Sequence, residues 1–473
     1  MGNWQLHQDT LLWAKSGVLL LAVLACLGLL LAALSPFWMR FVINRTVDHA
    51  VRQLFSDPYT KNLLEGVTAL QRFGVRTTLE NELRAHIGKT LDKPIGSTRH
   101  FPNFDGLLFS PAPVATGALD MASTVDVATV IGSGAKRPMH IALPVMISAM
   151  GYGVAVNKSF ARALAKGATL AGTAYNVGQG PPVQGVRDLA EHLVVQYHGA
   201  SWRPAESLLR VADMIEIRLG QGANAGCGTT IPTKNMPKEL LREFGAESAS
   251  GDSLYIPAGI PGVHTIREAR RLVEHLRKLS RGAPIAVKMA AGQALERDLM
   301  WAIKAGVDVI VIDGAQGGTH GSPAMVVDDF GIPTLHALCR AVPFVRAHQG
   351  RRNVDIVISG GIRTPGDMLK AIALGATAVY IGTAALFAAT HLQITKAIPF
   401  EPPTQVAWEN GKVRQRFNED KGAQSLAHFL NSCADEMRQG LRALGKSSLT
   451  LLSEEDLVAW QPEVARITGR PLV

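Results

Sequence analysis

Two glycine-containing turns in the second half of the chain are the clearest local sign of ligand chemistry. Gly360 and Gly361 come directly after one apolar run, and Gly382 and Thr383 come directly after the next. Glycine lets backbone N–H groups approach a phosphate closely, and a short helix after the second turn adds its positive end. A single glycine pair can simply turn the chain after a strand. Two such turns on successive runs predict a phosphate-binding site.

A lysine inside an apolar run is the second candidate for chemistry. Lys288 lies near the end of a run that begins at Ile285 and is otherwise apolar. An ammonium group in that position either extends along its stem to solvent or meets a negative partner. We predict the second alternative, in which Lys288 faces the negative charge of a bound group.

Eight short apolar or β-branched runs alternate with helical patterns over the middle of the chain. Alternation of this kind is typical of βαβ units, and the count of eight favours a (β/α)₈ TIM barrel. A doubly wound sheet would more often have five or six strands and an early G-x-G-x-x-G motif, whose spacing the glycines at Gly220–Gly228 do not match. The runs are Pro144–Ala149, Ala168–Thr173, Leu193–Tyr197, Met214–Leu219, Ile285–Met289, Val307–Asp313, Val354–Gly360 and Ala378–Gly382. The predicted helices between them are Ser159–Lys166, Thr265–Leu279, Ala294–Ala305 and Pro365–Leu374.

The carboxyl ends of barrel strands predict where the functional residues lie. Active sites of such barrels gather there because eight loops converge on one face. The candidates that this rule selects, in strand order, are Ser148, Ala149 and Met150; Thr173 and Asn176; Gln196; Glu216, Arg218 and Gln221; Lys288; Asp313 through Ser322; Ser359, Gly360 and Gly361; and Gly382 and Thr383.

The amino terminus contains an uncharged apolar stretch from Ser16 to Met39, flanked by Trp13 and Trp38. This length is sufficient for a helix to cross a bilayer, and tryptophan favours the membrane interface. A cleaved signal peptide fits less well because no small-residue cleavage site follows, and a buried core helix would need a polar face. We therefore predict a retained single-pass anchor. Basic residues after the stretch place the rest of the chain on the cytoplasmic side.

These signals divide the chain into four predicted parts. Residues 1–43 form the transmembrane anchor, 44–110 a helical linker and lead-in, 111–395 the barrel, and 396–473 a small helical C-terminal extension. In that last part, helices are predicted at Ala423–Leu444 and Ser453–Trp460.

Composition agrees with a globular α/β enzyme. The 473 residues are 47% hydrophobic and 18% charged, with a formal net charge of +9. The basic residues are dispersed and no recognition motif accompanies them, so nucleic acid is not a predicted partner. The four cysteines are far apart, and their spacing predicts no metal site.

Six stretches resemble the FMN-binding synthase domain of glutamate synthase, over about residues 101–390 and in the expected order. They are Pro144–Gly153, Ala171–Gly180, Ile215–Gly226, Ala286–Met289, Ile312–Pro323 and Ile358–Ala384. The resemblance implies a (β/α)₈ barrel in which FMN passes electrons to an imine formed from 2-oxoglutarate and ammonia.

The resemblance also implies a role for each matching position. Ser148, Ala149 and Met150 correspond to the turn beside the isoalloxazine ring, and Thr173, Asn176 and Gln196 to polar contacts from the second and third strands. Lys288 corresponds to the lysine that faces the flavin. The loop after the sixth strand is matched by Gly317, Gly318 and Thr319, and the phosphate grip by Gly360, Gly361, Gly382 and Thr383. Gln221, with Arg218, corresponds to the substrate region.

The chain departs from that family at several positions. It begins with an apolar segment where the large enzymes have a catalytic cysteine, and only Cys433 follows Thr383, so no iron–sulfur cluster is expected. Gln179 stands where a carboxylate is expected, Arg218 replaces a lysine, and Cys227 interrupts a GEGG-like stretch. These departures lie nearer the substrate than the flavin.

The sequence thus predicts an FMN-dependent, glutamate-synthase-like oxidoreductase that acts on CH–NH₂ donors at a membrane. Its expected partners are a small 2-oxo acid, ammonia from solution or from another subunit, and an electron donor. Two alternatives remain open: an FMN oxidoreductase for another small acid or amine, and a catalytically silent flavin-binding or regulatory membrane subunit.

Overall fold

The computed structural model describes residues 2–111, 113–234, 236–246, 252–393 and 402–473. It divides into two compact units, of which the first ends at Lys89 and the second runs from Thr90 to the C-terminus. The second unit therefore includes residues 90–110 and the described C-terminal residues, which were predicted to be a lead-in and an extension.

The first unit is helical. Its long helix α1 (Gly2–Ser56) is followed by α2 (Leu63–Phe73) and α3 (Val75–Ile87). Between Val23 and Ser56, α1 contains a window with a mean hydropathy of 1.8, and that window is unburied in the structure. By length and composition this helix can cross a membrane.

The second unit contains a closed barrel of eight parallel strands, as predicted. Neighbouring strands in the barrel are also neighbours in the chain, so β1 closes the ring against β8. The strands are β1 (Val145–Ile147), β2 (Ala174–Asn176), β3 (His192–Tyr197), β4 (Met214–Arg218), β5 (Ile285–Ala290), β6 (Val309–Asp313), β7 (Asp355–Ser359) and β8 (Ala378–Ile381).

Helices cover the outside of the barrel, and several begin with strong capping signals. Thr265 and Glu268 form a capping box at the start of the helix Ile266–Leu279, and Thr364 and Asp367 form another at the start of the helix Pro365–Ala373. The helices are α4 (Lys158–Leu170), α5 (Val186–Leu189), α6 (Glu206–Arg210), α7 (Lys238–Glu243), α8 (Ile266–Leu279), α9 (Leu295–Ala305), α10 (Ala324–Asp329), α11 (Thr334–His348), α12 (Pro365–Ala373), α13 (Thr383–Ala389), α14 (Glu419–Ala443) and α15 (Pro462–Thr468).

The predicted position of the second strand was wrong. Ala168–Leu170 forms the last turn of α4, and the strand lies at Ala174–Asn176. Alanine is the best helix former, and the apolar run Ala168–Leu170 continues the buried face of α4, so the helix extends into it.

A β-hairpin closes the amino end of the barrel. Its strands Thr129–Ile131 and Met139–Ile141 are antiparallel. The buried side chains of Ile131, Met139 and Ile141 form one apolar cluster with inward-facing barrel residues. The Asp355 carboxylate holds the hairpin by accepting a hydrogen bond from the Gly132 N–H at 2.6 Å. We call this element the bottom hairpin.

A short strap crosses the opposite end. Asp92–Lys93 pairs with Ser322–Pro323, and the Lys93 ammonium donates to Asp328 Oδ1 at 2.6 Å. The strap continues to Ile95, whose N–H donates to the Thr319 carbonyl at 2.9 Å. It therefore lies on the loop that follows β6.

The C-terminal residues pack on the barrel. Helix α14 lies against α4, where Glu419 accepts from Arg162 at 2.9 Å and pairs with Lys166 at 2.5 Å. The helix predicted at Ser453–Trp460 was wrong. A 3₁₀ turn at Glu454–Asp456 leads into the strand Leu457–Ala459, because this segment pairs with Leu107–Phe109.

Candidate active site

The inward-facing residues of the barrel form an apolar layer below and a polar layer above. The apolar layer includes Met146, Val194 and Met214 and rests on the bottom hairpin. Along each strand, the side chain two residues further on also points inward, and it lies one layer nearer the carboxyl end of the barrel. The polar layer is made by Asn176, Gln196, Glu216, Lys288 and Tyr380, all buried.

Glu216 is the centre of that polar layer. Its Oε1 accepts hydrogen bonds from Asn176 Nδ2 at 2.9 Å and from Gln196 Nε2 at 2.7 Å. Asn176 Nδ2 also lies 3.2 Å from the Tyr380 hydroxyl. Burial and the nearby Glu216 carboxylate raise the pKa of Tyr380, so the phenol stays neutral. Because Gln196 donates from Nε2, its Oε1 is left as a buried acceptor without a partner in the described part of the chain.

Lys288 is also part of the polar layer, on β5. Only 3% of the residue is exposed, and its ammonium lies 5.8 Å from the centroid of the Tyr380 ring. This ring contact is favourable for a cation, but it does not neutralise the charge. Within the described ranges, Lys288 makes no hydrogen bond or ion pair with a carboxylate. The ammonium is thus available to a negative ligand.

Arg218 ends β4 and is 1% exposed. Its Nη2 donates to the Cys227 carbonyl at 3.1 Å, while Nε and Nη1 have no partner among the described residues. Burial lowers the pKa of Arg218 to about 10, and Cys227 partly offsets this shift. Gln221 is half-buried and directly precedes the 3₁₀ turn Gly222–Asn224, without a side-chain capping hydrogen bond. The two predicted substrate residues therefore lie on one strand end and its loop.

The glycine turn after β7 requires glycine. Gly360 has a φ of 109° and Gly361 a φ of 74°, which side-chain-bearing residues rarely adopt. A Cβ at Gly361 would lie 2.7 Å from the Gln316 side chain, and one at Gly360 would lie 2.7 Å from Thr334 Oγ1. The Gly361 N–H has no partner among the described residues. The turn is a tight cradle with a free backbone donor.

The turns after β6 and β8 meet at the strap, and the turn after β1 lies beside the end of β8. Thr383 Oγ1 is 3.5 Å from the Ile95 carbonyl in the strap, and a Cβ at Gly318 would meet both groups. Gly317 N–H donates to the Gly314 carbonyl at 2.9 Å. Thr319, Gly318 and Thr383 are therefore brought together by one strap residue.

Ser148, Ala149 and Met150 follow β1. The Ser148 N–H donates to the Ile381 carbonyl at 2.9 Å, which ties this turn to the end of β8 beside Gly382. Ser148 is buried, and the other two residues are half-buried. The three lie at the mouth of the barrel.

Thr173 is not brought to the mouth. It precedes β2, and its hydroxyl donates to the Val145 carbonyl at 2.5 Å, at the beginning of β1. Thr173 also has the strand parity of Tyr175, which packs in the outer core. The misplaced second strand explains this difference.

Three residues belong to the site although the sequence analysis assigned them no specific role. Tyr380 and His198 were not selected, and Glu216 was named only as a strand-end position. All three follow the two-residue alternation that places Gln196 and Arg218 inside the barrel. Among the described residues, no group of three His, Cys, Asp or Glu side chains is arranged to hold a metal.

Comparison with solved structures finds two partial similarities. A flavocytochrome b2 variant with sulfite bound is 17% identical, covering 78% of this chain and 79% of that one, with a TM-score of 0.48. A mandelate oxidase variant with an FMN adduct is also 17% identical, covering 73% and 86%, with a TM-score of 0.45.

Sequence comparison is more specific. The family model for the conserved region in glutamate synthase matches residues 111–447. The archaeal-type glutamate synthase [NADPH] of Thermotoga maritima is 29% identical, covering 78% of this chain and 76% of the relative. The glutamate synthase large subunit-like protein of Rhizobium meliloti is 31% identical, covering 80% and 89%. The chain therefore belongs to the glutamate synthase family and is an oxidoreductase of the class that acts on CH–NH₂ donors.

Proposed function

We propose that this protein binds FMN in the barrel mouth and reduces an imine formed from ammonia and 2-oxoglutarate or a related 2-oxo acid. The observation that carries the proposal is Lys288, a residue that is 3% exposed and whose ammonium forms no ion pair among the described residues. A buried charge is costly unless a partner compensates it. A cofactor that becomes negative on reduction is such a partner.

The surrounding donors and acceptors fit a flavin mononucleotide. Gln196 Oε1 is a buried acceptor that no described residue satisfies, and a flavin ring offers an N–H donor on its pyrimidine side. Lys288 is a cation for the adjacent ring oxygen and nitrogen, where negative charge develops. The phosphate would be held by the backbone of Gly360, Gly361, Gly382 and Thr383.

The remaining predicted residues complete the proposed pocket. Ser148, Ala149 and Met150 line the ring, with Gly317, Gly318 and Thr319 on the loop after β6. Asn176 acts indirectly, since its amide donates to Glu216 and Tyr380. Thr173 is left out because of its position before β2.

Bound FMN supplies hydride transfer. The protein's own residues bind and orient the reactants. Lys288 stabilises negative charge on the cofactor side, and Arg218 and Gln221 orient a substrate carboxylate. The bottom hairpin packs against the inward-facing apolar layer at the other end of the barrel, which leaves the mouth as the open end among the described residues.

Nitrogen and electrons come from outside the barrel in this proposal. Ammonia is taken from solution or from another subunit. The names of the relatives support NADPH as an electron source, through an electron-donor subunit or carrier. Helix α1 anchors the enzyme to the cytoplasmic face of a membrane. Resistance to carbonate extraction, with cleavage of the barrel unit by protease added to the cytoplasmic side only, tests that placement.

The decisive experiment uses the purified full-length protein. We expect flavin absorbance bands, bleaching on anaerobic reduction, and reoxidation by 2-oxoglutarate plus ammonium but by neither alone. A protein that stays colourless after addition of FMN would favour the catalytically silent subunit. Reoxidation by another imine or acid alone would favour the alternative oxidoreductase.

A further inference from the structure

One side of the barrel mouth carries buried hydrogen-bond donors that have no acceptor among the residues that the structure describes. They are Gln179 Nε2, His198 Nε2, and Nε and Nη1 of Arg218. The three residues are 8%, 0% and 1% exposed, respectively. Buried polar groups are normally paired, so these unpaired donors need an explanation.

The hydrogen bonding of His198 shows that its free nitrogen is a donor. The Ala200 N–H donates to His198 Nδ1 at 3.3 Å. Burial, with Arg218 and Arg203 nearby, lowers the pKa of His198 to about 4, so the ring is neutral near pH 7. A neutral imidazole whose Nδ1 accepts a hydrogen bond carries its proton on Nε2.

The strand register places His198 beside Arg218, and a tryptophan links the backbone of Gln179 to the same side of the barrel. Strands β3 and β4 are paired in parallel through Tyr197 and Ile217, and one further step puts His198 beside Arg218. Trp202 Nε1 donates to the Gln179 carbonyl at 2.8 Å, and its ring centroid lies 6.1 Å from that of His198. We call this wall, made by Gln179, His198 and Arg218, the donor wall.

The donor wall is separate from the proposed phosphate cradle. It follows β2, β3 and β4, whereas the cradle follows β7 and β8, on the other side of the eight-stranded ring. Cys227 is exposed, and its carbonyl accepts from Arg218, so the guanidinium lies just below the surface of the mouth. The wall offers two neutral donors and a single positive charge.

We propose that the donor wall is a subsite for a carboxylate of the oxo-acid substrate, with His198 donating from Nε2 and Gln179 from its amide alongside Arg218. This inference rests on the proposed function and adds two binding residues to it. A singly charged carboxylate matches one cation and two neutral donors, and its oxygens have enough lone pairs to accept from all of them.

The test compares His198→Phe with His198→Gln in the full-length protein. Phenylalanine fills the space without a donor, whereas the glutamine amide can replace Nε2–H. Thermal shift and flavin absorbance would be titrated with 2-oxoglutarate and with its neutral dimethyl ester. We expect His198→Phe to weaken 2-oxoglutarate binding about tenfold or more, as for a lost hydrogen bond to a charged group. Ester binding should stay unchanged, and His198→Gln should bind the acid like the wild type.

Several results would overturn the inference. These are equal binding of 2-oxoglutarate by His198→Phe and wild type, no carboxylate-dependent shift in the wild type, or an equal His198-dependent shift with inorganic phosphate. If His198→Phe does not fold, Gln179→Leu is measured in its place, with the same expected loss. The thermal shift does not require flavin. A colourless protein with a His198-dependent carboxylate shift would thus contradict the proposed function and support this subsite.

Discussion

Replacing Lys288 by methionine tests the central charge of the site. Methionine keeps a similar length and volume but removes the ammonium. In a protein without flavin, this change removes a buried charge that has no counter-ion within the described residues, which should stabilise the fold by about 1–3 kcal/mol. The expected sign is unusual for a core substitution, because most of these destabilise.

With flavin bound, Lys288→Met should be unfavourable, because the reduced cofactor loses the positive charge that stabilises it. A unit charge about 4 Å from the ring contributes about 4 kcal/mol at an effective dielectric of 20, a value that suits a residue as buried as Lys288. Loss of this energy in Lys288→Met should lower the reduction potential of the bound flavin, a two-electron couple, by about 80 mV. Lys288→Arg keeps the charge and should remain near the wild-type potential.

The assay is anaerobic reduction of the bound flavin beside reference dyes, together with thermal unfolding of the flavin-free protein. If Lys288→Met changes neither the potential nor the melting temperature, the ammonium is not beside the redox centre. A lowered potential with unchanged stability would instead show that the charge is solvated in the free protein.

Three further predictions test the cradle, the barrel and the pH response. Gly361→Asp, at a φ of 74°, should weaken FMN binding about tenfold or more by fluorescence titration, because it adds strain and repels phosphate; Gly366→Asp is the matched control. Asp308→Ala removes the acceptor of the Ile285 N–H at 2.9 Å and should lower the free energy of unfolding in urea by about 3 kcal/mol. The pKa of His198 is about 4 in the fold against an ordinary 6.5, so the unfolded chain binds more protons between these values. Stability should therefore fall by about 3 kcal/mol as the pH drops from 6.5 to 4, and denaturation of His198→Gln should lack this slope.

The sequence was sufficient for the parts of the site that depend on strand alternation. Lys288 and Arg218 are charged residues at the ends of apolar runs, and the barrel rule places such residues at the mouth. The prediction of the second strand was wrong because Ala168–Leu170 is a short apolar run, and hydrophobic periodicity does not distinguish helix from strand in such a run. Thr173 was misplaced with it.

Other features could not be found from local sequence. The strap residue Ile95 contacts Thr319, more than two hundred positions away in the chain, and no periodic pattern predicts that contact. The donor role of His198 depends on the Ala200 N–H and on burial, which a sequence does not give. Glu216 orients Gln196 only because parallel pairing places the two residues side by side.

The bottom hairpin gives the barrel the shape of a cup with one opening. Ile131, Met139 and Ile141 fill the amino end, so the part of the chain that the structure describes leaves no passage along the barrel axis from below. Ammonia, oxo acid and electron donor would then have to share the same entrance. Reduction and reoxidation would take turns at that entrance, and a donor subunit docked over the mouth would have to leave or open before the product could depart.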